Sequence, residues 1–115
     1  MKTIKAVFID AENRKVENVK IEASLQSYYK KIGCDLITGA GTLNKQGDWL
    51  VVDDEGLLKP NYLFKIKYQG KYIYPDYLAG NGLILGSDKE GDTKSVTIDA
   101  KDVEVEFFGK FGGLQ

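Results

Sequence analysis

The stretch Gly80-Asn-Gly-Leu-Ile-Leu-Gly-Ser-Asp-Lys-Glu-Gly-Asp92 gathers the residue types best suited to chemistry. Glycines at one end could cradle a phosphate, and carboxylates at the other could hold a metal. Neither pattern completes. A dinucleotide fingerprint needs glycine where Leu85 stands, and a helix start where Leu83, Ile84 and Leu85 read as a strand. No Gly-Lys-Ser/Thr follows to make a phosphate loop of the Walker type. Asp88, Glu90 and Asp92 alternate as calcium ligands do. Thr93, however, takes the position that must be glycine, and Asp99 the position of the closing glutamate. A carboxylate-metal hydrolase would instead require Asp53, Asp54, Asp88 and Asp92 to converge from two loops. Turn glycines bracketing a buried strand, with solvated acids after it, is the simpler reading, and no metal or other cofactor is expected.

Histidine is absent from the 115 residues, which removes Ser-His-Asp and Cys-His catalysis and the His-containing zinc sites. Cys34 is the lone cysteine, so an internal disulfide and an all-cysteine zinc site are excluded as well. It follows the helix-ending Gly33 with no base nearby, which reads as a structural thiol. Net charge −1 gives no global attraction to nucleic acid or to an anionic membrane. No apolar window is long enough to span a bilayer and no targeting segment is read, so a reducing, cytoplasmic setting is expected.

The remaining chemistry is basic and aromatic. Between Glu55 and Asp76 there is no acid, while Lys59, Lys65, Lys67 and Lys71 are present. Tyr62, Tyr68, Tyr72, Tyr74 and Tyr77 fall in or just beyond the same stretch. Lysine heads beside stackable rings suit a nucleotide or single-stranded nucleic acid. The bland alternative is a hairpin whose wet face carries lysine to guard an exposed edge. From Asp88 to Glu106 the balance reverses, and an acidic carboxy-terminal part facing a basic hairpin leaves self-association open.

These residues must be positioned by local structure, and most of it is legible. Thr3–Asp10 alternates as a strand, Ala11–Lys15 is a polar turn, and Val16–Ala23 reads as the second arm of a hairpin. Leu25, Tyr28, Tyr29 and Ile32 share one helical face, with Ser24 as N-cap, Lys30 and Lys31 in the last turn, and Gly33 as the stop. Cys34–Gly41, Asp48–Asp53, Phe64–Tyr68 and Gly82–Gly86 read as strands, with Gln69-Gly70 as a tight turn. Residues 99–108 fit two patterns. Val103-Glu-Val-Glu-Phe107 alternates with period two, whereas Asp99 could cap a helix with Ala100, Val103 and Phe107 on its apolar face. The helix is preferred, because Asp-Ala-Lys-Asp is a poor strand start.

The hairpin-helix-Gly33 block, then Val51-Val-Asp-Asp-Glu-Gly-Leu-Leu-Lys-Pro-Asn61, then the block from Leu78 to Thr97 resemble an uncharacterised family, domain of unknown function 3846. Its members are short proteins of phages and conjugative elements. The family pattern places a basic residue after the middle-block asparagine, where this chain has Tyr62, so no site residue is carried over. What the resemblance implies is the setting of a cytosolic accessory protein of a mobile element.

The expected architecture is a small α+β domain over residues 1–109, a mostly antiparallel sheet with one or two helices packed on one face, and residues 110–115 as a loose tail. The leading functional expectation is non-catalytic binding to a host or element-encoded protein, with the blocking of a host defence component as the analogy and no membrane contact. The alternative is a nucleotide-like small ligand held by Tyr62, Lys65, Lys67, Tyr68, Lys71, Tyr72 and Tyr74, with Asn81 reading a polar edge.

Overall fold

The computed structural model describes residues 2–112. Ten strands and one α-helix follow in order: β1 (Thr3–Asp10), β2 (Lys15–Glu22), α1 (Leu25–Ile32), β3 (Ile37–Thr42), β4 (Trp49–Asp53), β5 (Asn61–Tyr68), β6 (Lys71–Tyr72), β7 (Leu78–Ala79), β8 (Gly82–Ser87), β9 (Thr93–Lys94) and β10 (Val103–Phe111). Single 3-10 turns occupy Gly56–Leu58 and Ala100–Asp102. Every strand pairing is antiparallel.

The strands form two sheets, ordered β2-β1-β8-β4-β3 with β9 beside β8, and β10-β5-β6 with β7 beside β5. The central strands of the first sheet, β1, β8 and β4, are buried on both faces. Ile4, Ala6, Phe8, Val51, Leu83 and Leu85 pack against Tyr28 and Ile32 of α1. Val7, Ile9, Leu50, Val52 and Ile84 face Phe64, Ile66 and Val103 of the second sheet. This is why β4 and β8 read as continuous apolar runs rather than as alternation. An eight-residue helix is too short to persist alone, so the burial of Tyr28 and Ile32 is what holds α1 in place. Its ends are as expected: Ser24 Oγ accepts from Ser27 N–H, and Gly33 adopts the left-handed conformation at φ 87°.

Three expectations are corrected. The fold is β-rich, with about half of the chain in strands and a second sheet, rather than one sheet with helices on a face. The expected helix at 99–108 is a strand. Asp99 and Asp102 do form reciprocal caps, but these close only the turn Ala100–Asp102. From Val103 onward pairing with β5 takes over, and the period-two pattern puts Val103, Val105 and Phe107 against the core and Glu104 and Glu106 outside. The tail is shorter than expected, since Lys110 and Phe111 pair with Tyr62 and Asn61, while residues 113–115 lie outside the described residues.

Candidate functional site

Strand alternation divides the basic-aromatic stretch among several places. Tyr68 turns inward and packs against the core between the sheets. Lys65 and Lys67 turn outward, where β10 sets Glu106 and Glu104 directly opposite them. The Lys65 ammonium lies 4.8 Å from the Tyr72 ring centre and 5.1 Å from that of Tyr77, and Lys67 lies 4.7 Å from Tyr72. The Tyr72 hydroxyl donates to Glu106 Oε1 at 2.8 Å. The basic hairpin and the acidic carboxy-terminal segment are therefore cross-strand partners within one sheet, and their charges offset each other locally. Lys71 stands exposed beside the turn at Gln69-Gly70. Tyr62 and Tyr74 face two different concavities.

The four acids proposed for a metal do not meet. In the β4–β8 register Val52 pairs with Gly82, which sets Asp53 beside Asn81, whereas Asp88 follows the far end of β8. At about 3.3 Å per residue the two carboxylates are separated by roughly 20 Å, and a hard cation needs its oxygens at about 2.0–2.6 Å. Asp88, Glu90 and Asp92 do cluster, all exposed. The cluster is explained as a turn: Asp88 Oδ1 accepts from the backbone of Glu90 and of Asp92, each at 2.9 Å. Cys34 offers no nucleophile either, because partial burial pushes its thiol up and disfavours the thiolate.

Two of the molecule's concavities are lined by residues of the basic-aromatic stretch and its neighbours. One, about 200 Å³, is lined by Glu12, Asp53, Asn61, Tyr62, Asn81 and Lys110. The other, about 450 Å³, runs between β3 and the turn Gly56–Leu58 and is lined by Thr38, Gly39, Leu57, Leu58, Tyr74 and Tyr77. Leu58 is 61% exposed and Leu57 41%, with Tyr74 and Tyr77 close behind. Leu57 and Leu58 carried no periodic signal in the sequence. Two leucines between Gly56 and Pro60, in a turn where polar residues are the norm, were the sign that could have marked them.

A family model described as a domain of unknown function, DUF3846, matches residues 4–111. The chain belongs to this family. No curated protein and no solved structure matches it at a significant level. The three sequence blocks that carry the DUF3846 resemblance meet around the smaller recess. Just beyond Gly33, the first block is joined to the middle one by the bond from Asp54 N–H to the Leu36 carbonyl, and the middle block is braced internally. Asn61 Nδ2 donates to the Gly56 carbonyl at 2.8 Å, and Gly80 N–H to the Tyr62 carbonyl at 2.9 Å. Lys59 Nζ lies 2.8 Å from Asp53 Oδ2, whose other oxygen accepts from Glu55 N–H. The hydrogen bond to Asp53 holds the Lys59 ammonium above the usual lysine value.

Asn81, expected to read a ligand, already has its polar atoms engaged. Its Oδ1 accepts from Ala11 N–H at 3.0 Å and its Nδ2 donates to the Ile32 carbonyl at 3.3 Å, bracing the end of β1 against the end of α1. Asn81→Ala strands the N–H of buried Ala11, and the expected loss of stability is about 2 kcal/mol by urea denaturation. An unchanged midpoint would return Asn81 to the ligand-reading role.

Proposed function

We propose that this DUF3846 protein is a non-catalytic accessory binding protein of a phage or mobile element, acting by contact with another protein, a host defence component being one such target. The observation that supports this reading is the groove beside β3, where four large apolar side chains stand exposed together. Soluble proteins rarely leave such residues contiguous without a use for them, and leucine flanked by tyrosine is an effective anchor for an interface. Histidine-based chemistry is excluded by composition, and the acids singled out for metal chemistry sit at opposite ends of the sheet.

The test is comparative capture from host extract with wild-type protein and the Leu57→Ser/Leu58→Ser variant. Both side chains are largely solvent-facing, so the variant should keep its stability within about 0.5 kcal/mol. A host protein retained by the wild type should fall at least about tenfold on the variant, a change of about 1.4 kcal/mol. Equal recovery on both would remove the groove as the contact surface. A second reading, a small polar ligand, is favoured by the recess at Tyr62 and Lys110. Its volume suits a fragment rather than a whole nucleotide, since pockets for drug-sized ligands span about 300–1,000 Å³.

A further inference from the structure

The first sheet has two outer strands, and they are defended differently. β2, Lys-Val-Glu-Asn-Val-Lys-Ile-Glu, carries Lys15, Glu17, Lys20 and Glu22 along its length. β3, Ile-Thr-Gly-Ala-Gly-Thr, carries no charge at all. Charged residues are a common guard against an edge pairing with another chain, and β3 lacks it. The backbone geometry identifies the open groups. Asp54 N–H donates to the Leu36 carbonyl, so that pair is hydrogen-bonded across the hairpin. In an antiparallel ladder such pairs alternate, which turns Thr38 toward β4 and the amides of Ile37 and Gly39 away from it. Among the described residues nothing pairs with that outer side. The bulge between Gly39 and Gly41 ends the open stretch, and Gly41 is closely approached by Ile73.

The surroundings say what would fit. The apolar groove runs alongside this open edge, so side chains on one face of an added strand would meet Leu57, Leu58, Tyr74 and Tyr77. Asp54, Glu55 and Asp76 are exposed at or next to groove-lining positions, and none has an ion-pair partner among the described residues. Two lysines come near: Lys59 is held by Asp53, and Lys65 rests over the Tyr77 ring. The rim is therefore acidic. A second copy docking about a two-fold axis would bring these same acids against themselves, which disfavours a symmetric dimer through this edge.

Resting on the reading that the groove binds protein, we propose that its occupant is an extended apolar segment of a partner, flanked by lysine or arginine. The segment adds to the sheet as a further strand beside β3. Main-chain hydrogen bonds to Ile37 and Gly39 supply affinity, the groove selects alternate apolar side chains, and the acidic rim selects the flanks.

The probe is a fluorescein-labelled peptide, Lys-Lys-Thr-Val-Thr-Leu-Thr-Lys-Lys, compared with the same core flanked by glutamate, in fluorescence anisotropy against the full chain. The basic peptide should bind at least about tenfold more tightly than the acidic one, and the gap should narrow in about 1 M salt, where screening acts within about 3 Å. Asp54→Lys/Glu55→Lys, at two exposed positions, should reverse the preference, and a proline in place of the peptide's valine should abolish binding. Equal affinity for both flanks, or binding unaffected by the proline, would overturn the proposal. So would dimerisation of the protein that Leu57→Ser/Leu58→Ser abolishes. If neither peptide binds while capture of a host protein still depends on Leu57 and Leu58, the basic strand is wrong and the binding-protein reading stands. If the capture fails as well, both fall.

Discussion

Replacing Asp48 with alanine is expected to destabilise the protein by about 4 kcal/mol and to lower its melting temperature by roughly 15 °C. Asp48 is fully buried at the start of β4 and has no cation beside it among the described residues. Its charge is held by hydrogen bonds alone. Oδ1 accepts from Thr97 N–H at 2.9 Å, and Oδ2 accepts from Asn44 Nδ2 at 2.8 Å and from the Thr97 hydroxyl. The carboxylate thereby fastens the β3–β4 loop to the segment that leads into Asp99. Alanine removes three bonds to an ionised acceptor and strands the N–H of Thr97 and the amide of Asn44. Each bond to a charged group is worth about 1.5–3 kcal/mol, with partial relaxation reducing the sum. Asp48→Asn keeps the volume and one acceptor, so about half the loss is expected. Guanidinium denaturation of the three proteins checks the order. A loss below about 1 kcal/mol for alanine would show that water reaches the site and replaces the carboxylate.

The case of Asp48 shows what a sequence conceals. Nothing in Gln46-Gly-Asp-Trp49 separates a buried clamp from a turn acid, because its partner Thr97 is 49 residues away. Local features were legible where neighbours in sequence decide them. The hairpin of β1 and β2, the caps of α1 and the turn at Gln69-Gly70 all follow from residues within one turn or one strand of each other. The 99–108 segment failed because the local cue, the Asp99–Asp102 cap, was genuine but short, and pairing with β5 decided the rest. The residues of the expected site are dispersed for a related reason. Proximity along the chain grouped Tyr62 to Tyr74, whereas a strand sends successive side chains to opposite faces, and the acids that offset Lys65 and Lys67 come from β10. The groove beside β3 was invisible because it is assembled from an edge strand, a turn and a loop with no shared period.

The glycines of the 80–92 stretch provide the second large effect, and here the neighbour, not the substitution, sets its size. Gly82 and Gly86 lie on the same strand, neither at positive φ, so added side chains act through space rather than backbone strain. A methyl group at Gly82 would stand 3.1 Å from Phe64 Cζ, 3.2 Å from Leu50 Cδ1 and 3.4 Å from Ile9 Cδ1. All three are tips of buried side chains able to give by tenths of an ångström, so Gly82→Ala should lose only about 1 kcal/mol. Gly82→Leu would drive three more carbons between two sheets with no void to receive them, and about 3 kcal/mol is expected. At Gly86 the same methyl group meets backbone: it collides with the Ser95 carbonyl oxygen and lies 3.0 Å from that of Lys94. Main chain fixed by the bonds of Ser95 Oγ to Lys5 N–H and of Val96 N–H to the Lys5 carbonyl cannot swing aside as a side-chain tip can. Gly86→Ala should therefore lose about 3 kcal/mol, near the loss from Gly82→Leu and well above that from Gly82→Ala. Thermal denaturation of the three variants decides it: equal losses for the two alanine variants would mean that residues 94–96 yield freely. The space beside Gly86 is thus taken by the main chain of residues 94 and 95, so in this stretch the glycine serves the pairing of β9 with β8.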